Sequence, residues 1–203
     1  MSLVSYWSAV SCTRGEFLEL VKSAELFAKE KLSGIVSNDG NVSYSKHVTD
    51  VVNRLKSLGV VDEDVLCSGW LHDTMEQANV SFDDLYDRFG SRIAVLVSDL
   101  TQDMTLSKKK RAQVYVVQLK NSSFDSKLIK LCDISANLSY LKNFDMSKSK
   151  KSRLMRQQRR YLSAIRSDLL ENVDYPRVCT LLERTEQIMS GLTIGASKVN
   201  PKC

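Results

Sequence analysis

Both histidines of this chain fall where a mixed imidazole and carboxylate metal site needs them. His47 lies in the segment YSKHVTDVV, and His72 is followed at once by Asp73 in the segment LCSGWLHDTMEQ. A third segment, KLIKLCDISANL, supplies Asp133. Neutral imidazole nitrogens and ionised carboxylate oxygens together hold divalent cations such as Mn²⁺, Fe²⁺ or Zn²⁺. A metal-dependent hydrolase is therefore the leading hypothesis, against the alternative that these are buried structural side chains.

The segments that carry these residues have the periodicity of helices. The chain has 8 Gly and 2 Pro in 203 residues, which leaves little material for the tight turns of an all-β fold, so we expect an all-α fold. A helix with His47 on its first turn and its end at Gly59 is predicted by apolar residues at three- and four-residue steps, namely Val48, Val51, Val52, Leu55 and Leu58. We expect Asp62 to cap the next helix, which would carry the dyad His72-Asp73.

Other helices are predicted on both sides of this region. Ser81 and Asp84 have the spacing of a capping box, and Gly90 is the expected end of that helix. Further helices are predicted over 13–31, over the segments SRIAVLVSDL and LSKKKRAQVYVVQLK, and over 127–141, 151–171 and 177–190. Asp133 and Asn137 then lie one turn apart on the same helix face.

Length and composition indicate one soluble domain spanning 1–203, with its core at about 13–191 and a flexible tail at 192–203. The N-terminus has neither the basic start nor the apolar run of a signal peptide, and no stretch reaches the ~20 apolar residues of a membrane span. We therefore expect a cytoplasmic protein without a membrane partner. The five cysteines form no CxxC pair, which argues against a zinc ribbon.

A family resemblance agrees with the metal hypothesis. In chain order, the segments YSKHVTDVV, WLHDTMEQANVSFDDLYDRFGSRIAVLVSDLTQD, KKKRAQV and KLIKLCDISANL resemble the hydrolase domain of the RelA/SpoT proteins, most of all the small stand-alone metazoan form. The similarity covers residues 24–170, approximately. It implies an all-α HD-domain helical bundle, a Mn²⁺ ion, and removal of pyrophosphate from the 3′ position of guanosine tetra- or pentaphosphate. It also implies that His47, His72, Asp73 and Asp133 are the metal ligands, and that Asn137 lies near the nucleotide.

The segment after the dyad departs from the family pattern, which reads HDTxED where this chain has His72-Asp73-Thr74-Met75-Glu76-Gln77. Glu76 is the predicted general base or water-positioning group, with an exposed carboxylate at a helix end as the alternative. A second carboxylate could also accept a proton from the attacking water, whereas Gln77 can only form hydrogen bonds. The sequence therefore leaves open whether turnover is slow, altered or absent.

The segment GIVSNDGNVSY before His47 also departs from the family pattern. Family members carry a basic run there, whereas this chain has no Arg or Lys until Lys46. Guanine specificity is therefore open. A polyphosphate still needs cations, and the predicted ones are Lys108 in the run KKKR, and Arg156 and Arg160, which share a helix face with Arg153. Tyr161, in the segment RRYLSAI, resembles a tyrosine that contacts the nucleotide in the stand-alone hydrolases. Solvated surface charges are the alternative for the cations.

Two other classes of function are weighed against the enzyme. A net charge of +5 and the run SKSKKSRLMRQQRR could mark a nucleic-acid-binding face, but no aromatic residues are interleaved in the run for base stacking. A nucleic-acid partner is therefore not favoured over a nucleotide polyphosphate. A degenerate HD-domain protein that binds a nucleotide or a protein without turnover remains the second reading, and the oligomeric state is not fixed by the sequence.

Overall fold

The computed structural model describes residues 14–36, 42–143, 146–171 and 175–197. Within these ranges the chain is almost entirely helical, and its one β feature is an isolated bridge between Val36 and Ser43. The all-α prediction is confirmed. The helices are α1 (Arg14–Lys31), α2 (Tyr44–Leu58), α3 (Glu63–Leu71), α4 (Thr74–Ala78), α5 (Phe82–Phe89), α6 (Ser91–Leu100), α7 (Lys108–Asn121), α8 (Phe124–Asn143), α9 (Lys148–Glu171) and α10 (Arg177–Ser197).

Helix α8 is the centre of the fold. It packs against α2, α3, α6, α9 and α10. Every residue from 126 to 136 is buried, so this stretch is covered on all of its faces. A helix that is surrounded by other helices is apolar on every side except where a polar group has a partner. Asp133 lies in the middle of this stretch, and the fold therefore places a carboxylate in the interior of the domain.

Helices α2 and α3 approach closely at Gly69, and this contact brings the two histidine-bearing segments together. A Cβ atom built on Gly69 would lie 2.7 Å from Leu55 Cδ1 and 3.2 Å from Val52 Cγ2, which is tighter than ordinary van der Waals contact. Arg54 joins α2 to α8 through hydrogen bonds from its guanidinium to Ser135 Oγ and Ser139 Oγ. The helices that carry His47, His72 and Asp133 are thus held against one another.

Local signals set several helix ends as predicted. Ser81 and Asp84 form a reciprocal capping box at the start of α5, and Asp62 accepts a hydrogen bond from the backbone N–H of Val65 at the start of α3. Gly59 ends α2 in the left-handed region, with φ of 93°, where a residue with a side chain is strained.

Two predicted boundaries are wrong. The dyad does not lie on α3, because α3 ends at Leu71 and α4 begins at Thr74, so His72 and Asp73 form the turn between them. The Thr74 hydroxyl donates a hydrogen bond to the Leu71 carbonyl, which fixes that turn. The last helix continues past Ser190 to Ser197, so 192–197 is helical, and 198–203 lies outside the described residues. In the described part of the chain, no helix combines the length and apolar character that a membrane crossing requires.

Candidate active site

Three of the four predicted metal ligands form one buried cluster, and the fourth, Asp73, lies beside it. His47 Nε2 lies 3.1 Å from Asp133 Oδ1 and 3.3 Å from His72 Nε2. Asp73 Oδ2 lies 3.5 Å from the Nε2 atom of each histidine. His47, His72 and Asp133 are buried and form a cluster whose ligand atoms all lie within 4.8 Å of one another. Residues from α2, the α3–α4 turn and α8 thus present four donor atoms to a small shared space.

The spacing of these donor atoms fits a divalent transition metal. Metal–ligand distances of about 2.0–2.2 Å, with angles between tetrahedral and octahedral, place neighbouring donors about 2.8–3.6 Å apart. The four distances of 3.1 to 3.5 Å lie in this range. Asp73 Oδ2 is buried and has no hydrogen-bond partner among the described residues. A buried carboxylate oxygen without a partner is costly, and a cation in this space would satisfy it.

Neighbouring groups fix the orientation of two ligands. His72 Nδ1 is 2.9 Å from the Gly69 carbonyl oxygen, which can only accept, so Nδ1 carries the proton and Nε2 presents its lone pair to the cluster. Asp133 is held through both of its oxygens. Lys130 Nζ donates to Oδ2 at 2.6 Å, and Asn137 Nδ2 donates to Oδ1 at 2.7 Å. Oδ1 therefore remains directed towards His47.

The carboxylates give the cluster a negative potential. Burial alone would lower the pKa of His47, but the hydrogen bond with Asp133 and the charge of Asp73 outweigh it and raise that pKa. Burial alone would raise the pKa of Asp133, but Lys130 and His47 hold it well below its ordinary value. The field that favours a proton on His47 also favours a metal cation at the same place.

A cavity of about 290 Å³ opens beside the cluster. All four predicted ligands line it, together with Glu76, Gln77 and Asn137. The α9 helix forms a further wall, with residues Lys150, Arg153, Leu154, Gln157, Gln158 and Tyr161. The cavity thus has the size of a small-molecule site, with carboxylates and imidazoles in one part and cations in another.

Comparison with known proteins agrees with this geometry. A family model described as HD domain matches residues 24–158. The chain belongs to the HD-domain family. This match spans α2, the α3–α4 turn and α8, so the HD-domain region contains all four converging residues.

Curated relatives of this HD-domain chain include guanosine-3′,5′-bis(diphosphate) 3′-pyrophosphohydrolases. The human protein MESH1 is 32% identical over 124 residues, which are 61% of this chain and 69% of MESH1. Its Drosophila melanogaster counterpart is 36% identical over 96 residues, which are 47% of this chain and 54% of the relative. The Aquifex aeolicus enzyme of the same name is 31% identical over 136 residues, covering 66% of this chain but 19% of that enzyme.

Two solved structures share the HD-domain fold. One is a metazoan orthologue of SpoT, described as hydrolysing ppGpp, which superposes with a TM-score of 0.74 at 23% identity and covers 93% of this chain and 99% of its own. A Listeria monocytogenes protein superposes with a TM-score of 0.56 at 21% identity, over 72% of this chain and 97% of its own. At these low sequence identities, the two superpositions are evidence for the fold alone.

Glu76 and Gln77 lie on α4, directly after the dyad. Glu76 is partly buried and lines the cavity, so the alternative of an exposed helix-end carboxylate is wrong. The backbone N–H of Gln102 donates to Glu76 Oε1 at 2.6 Å. Burial raises the pKa of Glu76, and the hydrogen bond from Gln102 opposes this only in part. A carboxylate with a raised pKa suits proton transfer near neutral pH. Gln77 lines the same cavity.

The predicted substrate contacts divide into two groups. Asn137 and Tyr161 line the cavity, whereas Lys108, Arg156 and Arg160 are exposed and do not. Lys108 lies on the first turn of α7, and Tyr115 of the same helix is buried under Lys130. The structure therefore places these three residues outside the cavity lining.

Sequence reasoning missed two kinds of residue. Lys130 is buried, pairs with Asp133, and lies over the rings of Tyr115 and Tyr161 at 5.1 and 5.0 Å from their centroids. Its position three residues before Asp133 was the available signal, since residues three apart share a helix face. Lys150 is another cation of the cavity lining that the sequence did not select, and Arg153, which the sequence analysis named together with Arg156 and Arg160, also lines the cavity. Nothing in the sequence separates them from the other basic residues of α9.

Proposed function

We propose that this HD-domain protein is a metal-dependent guanosine-3′,5′-bis(diphosphate) 3′-pyrophosphohydrolase. The observation that carries the proposal is the proximity of two imidazole nitrogens and two carboxylate oxygens in the wall of a cavity of about 290 Å³. The sequence identity between this chain and curated enzymes of that name supports the choice of substrate. The reaction would convert guanosine tetraphosphate and water to GDP and pyrophosphate.

We assign the metal to His47, His72, Asp73 and Asp133, with Mn²⁺ as the expected ion. When bound there, a divalent ion supplies positive charge that stabilises a phosphoryl group under attack and favours ionisation of the attacking water. Two imidazoles and two carboxylates are a donor set that would hold such an ion. Asn137 keeps Asp133 Oδ1 in place, and Gly69 keeps the His72 ring in place.

Glu76 is assigned as the general base. The backbone N–H of Gln102 holds Oε1, so Oε2 is the oxygen left to orient the water and accept its proton. Burial raises the pKa of this carboxyl, which makes it a stronger base than an exposed glutamate. Gln77 can hold a water or a phosphate oxygen by hydrogen bonds but cannot accept a proton. Tyr161 is assigned to the wall that contacts the nucleotide.

A second candidate function is binding of the nucleotide without turnover. The amide at Gln77 favours it, because the family pattern has a carboxylate at that place. The ligand set and Glu76 favour catalysis. The two candidates differ in whether pyrophosphate is released, not in whether metal or nucleotide binds.

The test is a nucleotide panel on purified protein freed of metal by chelation and then supplied with Mn²⁺. We expect pyrophosphate and GDP from guanosine tetraphosphate, no release without metal, and no release from Asp73→Ala. Asp103→Ala is the matched control, because that carboxylate is exposed, outside the cavity, and bonded to Thr105. Metal and nucleotide binding without pyrophosphate release would establish the binding-only function instead. Release that ignores both the metal and Asp73 would refute the assigned site.

A further inference from the structure

We propose that Gln118 positions the general base Glu76 through the peptide group that joins Thr101 to Gln102. Gln118 lies on α7 and is not among the described residues that line the cavity. This inference rests on the proposed function and extends it to a residue outside the site. Its starting point is the hydrogen bond that the backbone N–H of Gln102 donates to Glu76 Oε1 at 2.6 Å.

Glu76 depends on this hydrogen bond because its own helix is short. Helix α4 has only five residues, Thr74–Ala78, and ends where Asn79 adopts the left-handed region. A helix of this length has few internal hydrogen bonds, so it holds a side chain less firmly than a long helix does. The Gln102 N–H therefore fixes Oε1, and Oε2 is left to hold the attacking water.

The side-chain amide of Gln118 holds the backbone just before Gln102. Its Nε2 atom donates to the carbonyl oxygens of Ser98, Asp99 and Thr101 at 3.0, 2.9 and 2.9 Å. A carbonyl can only accept, so the nitrogen of the amide, and not its oxygen, faces this group. Ser98 and Asp99 belong to the last turn of α6, where any capping donor could satisfy the carbonyls. The carbonyl of Thr101 lies beyond that helix.

The contact with the Thr101 carbonyl links Gln118 to Glu76. The Thr101 carbonyl and the Gln102 N–H belong to one planar trans peptide group, in which they point in opposite directions. The carbonyl accepts from Gln118, and the N–H donates to Glu76. Rotation of this group would break both hydrogen bonds, and donation to the carbonyl also polarises the N–H towards the carboxylate. Gln118 thus fixes the donor that fixes the base.

Other contacts hold the end of α6 independently of Gln118. The Tyr115 hydroxyl donates to the Leu100 carbonyl at 2.8 Å, and the Thr101 hydroxyl donates to the Val97 carbonyl at 2.8 Å. Removing the Gln118 amide should therefore release the peptide group without unfolding the helix.

Gln118→Met is the test variant, because methionine has a similar length and no donor. Gln113→Met is the matched control, since it makes the same change on the same helix at an exposed side chain outside the described lining. Single-turnover rates with saturating guanosine tetraphosphate and Mn²⁺ report the chemical step. A placed base contributes roughly 10²–10⁴-fold, so we expect Gln118→Met to lower the rate about 5- to 30-fold and to leave KM within about twofold. The control should stay within about twofold in both quantities.

A double-mutant cycle with Glu76 separates positioning from a general loss of stability. In a Glu76→Gln background no base is left to position, so adding Gln118→Met should change the rate by less than about twofold. A loss of the same size in both backgrounds would overturn the proposal. An unchanged rate for Gln118→Met in an active enzyme, or an equal loss in the Gln113→Met control, would overturn it as well.

Hydrogen exchange of the Gln102 amide, followed by NMR, requires no turnover and keeps this inference separate from the proposed function. We expect Gln118→Met to speed this exchange at least about tenfold, because the amide is held less firmly, and Gln113→Met to leave it unchanged. If the exchange responds in this way but the wild type releases no pyrophosphate, the proposed function fails and the link from Gln118 to Gln102 stands. An unchanged exchange rate in Gln118→Met refutes the link, whether or not the protein is an enzyme.

Discussion

Replacing Lys130 by Met tests whether a buried cation stabilises the central carboxylate of the site. The Lys130 ammonium lies 2.6 Å from Asp133 Oδ2, and both side chains are almost completely buried. Burial alone would lower the pKa of Lys130, but Asp133 and Tyr115 outweigh it and raise that pKa well above its ordinary value. Lys130→Met would therefore leave the interior with a carboxylate that has lost its strongest partner.

The expected loss in the free energy of unfolding depends on which interactions of Asp133 are removed and which remain. Removing one member of a buried ion pair costs about 3–5 kcal/mol, because the other charge stays buried. The hydrogen bonds of Asp133 to Asn137 and His47 remain and offset part of this. The Met side chain also keeps apolar contact with the two tyrosine rings that flank Lys130. We therefore expect the free energy of unfolding without metal to fall by about 2–4 kcal/mol.

Lys127→Met is the matched control, one turn earlier on α8. Lys127 is equally buried, but its partner Asp168 is 46% exposed, so water can solvate the carboxylate that is left behind. We expect a loss of about 1 kcal/mol or less. Urea unfolding of protein that has been freed of metal by chelation measures the loss in the free energy of unfolding for each variant.

The metal provides a second comparison. A divalent ion at the cluster replaces the positive charge that Lys130→Met removes, so Mn²⁺ should raise the melting temperature of this variant more than that of the wild type. Equal losses for the Lys130 and Lys127 variants would refute the argument, as would a Lys130→Met protein as stable as the wild type. A smaller response to Mn²⁺ in the Lys130 variant would show instead that Lys130 is needed to orient the ligand.

Three further predictions test other parts of the structure. His72→Ala should abolish the thermal stabilisation of the wild type by Mn²⁺, since a metal ligand is lost; an unchanged melting shift would contradict the ligand set. Gln77→Asp should raise single-turnover rates about tenfold, because a placed acid or base contributes roughly 10²–10⁴-fold and Glu76 already supplies part of it; no gain would show that this position is not limiting. Burial alone would raise the pKa of Asp62, but hydrogen bonds from Arg92 and the Val65 N–H outweigh it and lower that pKa. This stabilisation is complete above the unfolded pKa of about 4 and is lost as the pH falls through the folded value, so Arg92→Gln should lower stability by about 1 kcal/mol at pH 7 and by less below pH 4. Urea unfolding across that range measures it, and a difference that does not depend on pH would count against the network.

The features that could be predicted from the sequence are those that depend on neighbours along the chain. The capping box of Ser81 and Asp84, the end of α2 at Gly59, and the position of His47 near the start of α2 all follow from residues within one or two turns. The spacing of Asp133 and Asn137 on one helix is of the same kind, and the structure adds the hydrogen bond between them.

The features that could not be predicted depend on which helix face meets the cavity. On α9 the sequence shows basic residues on several faces, so periodicity alone cannot select Arg153 over Arg156. The selection is made when α8 and α7 pack against α9. Lys130 is a similar case, because a lysine on an isolated helix is expected at the surface. It is buried because α8 is surrounded by other helices and because Asp133 lies one turn away to neutralise it.

The turn between α3 and α4 shows how a sequence motif can imply a break that helical periodicity hides. Consecutive residues on a continuous α-helix point about 100° apart, so His72 and Asp73 could not both direct donor atoms to one ion from such a helix. In the structure Asp73 has φ −97° and ψ −7°, outside regular helix geometry. Asp73 Oδ2 and His72 Nε2 consequently lie 3.5 Å apart. Adjacent predicted metal ligands within an apolar helical pattern therefore indicate the end of a helix at that dipeptide. The catalytic candidate Glu76 lies in the cavity because a separate short helix, α4, follows the turn.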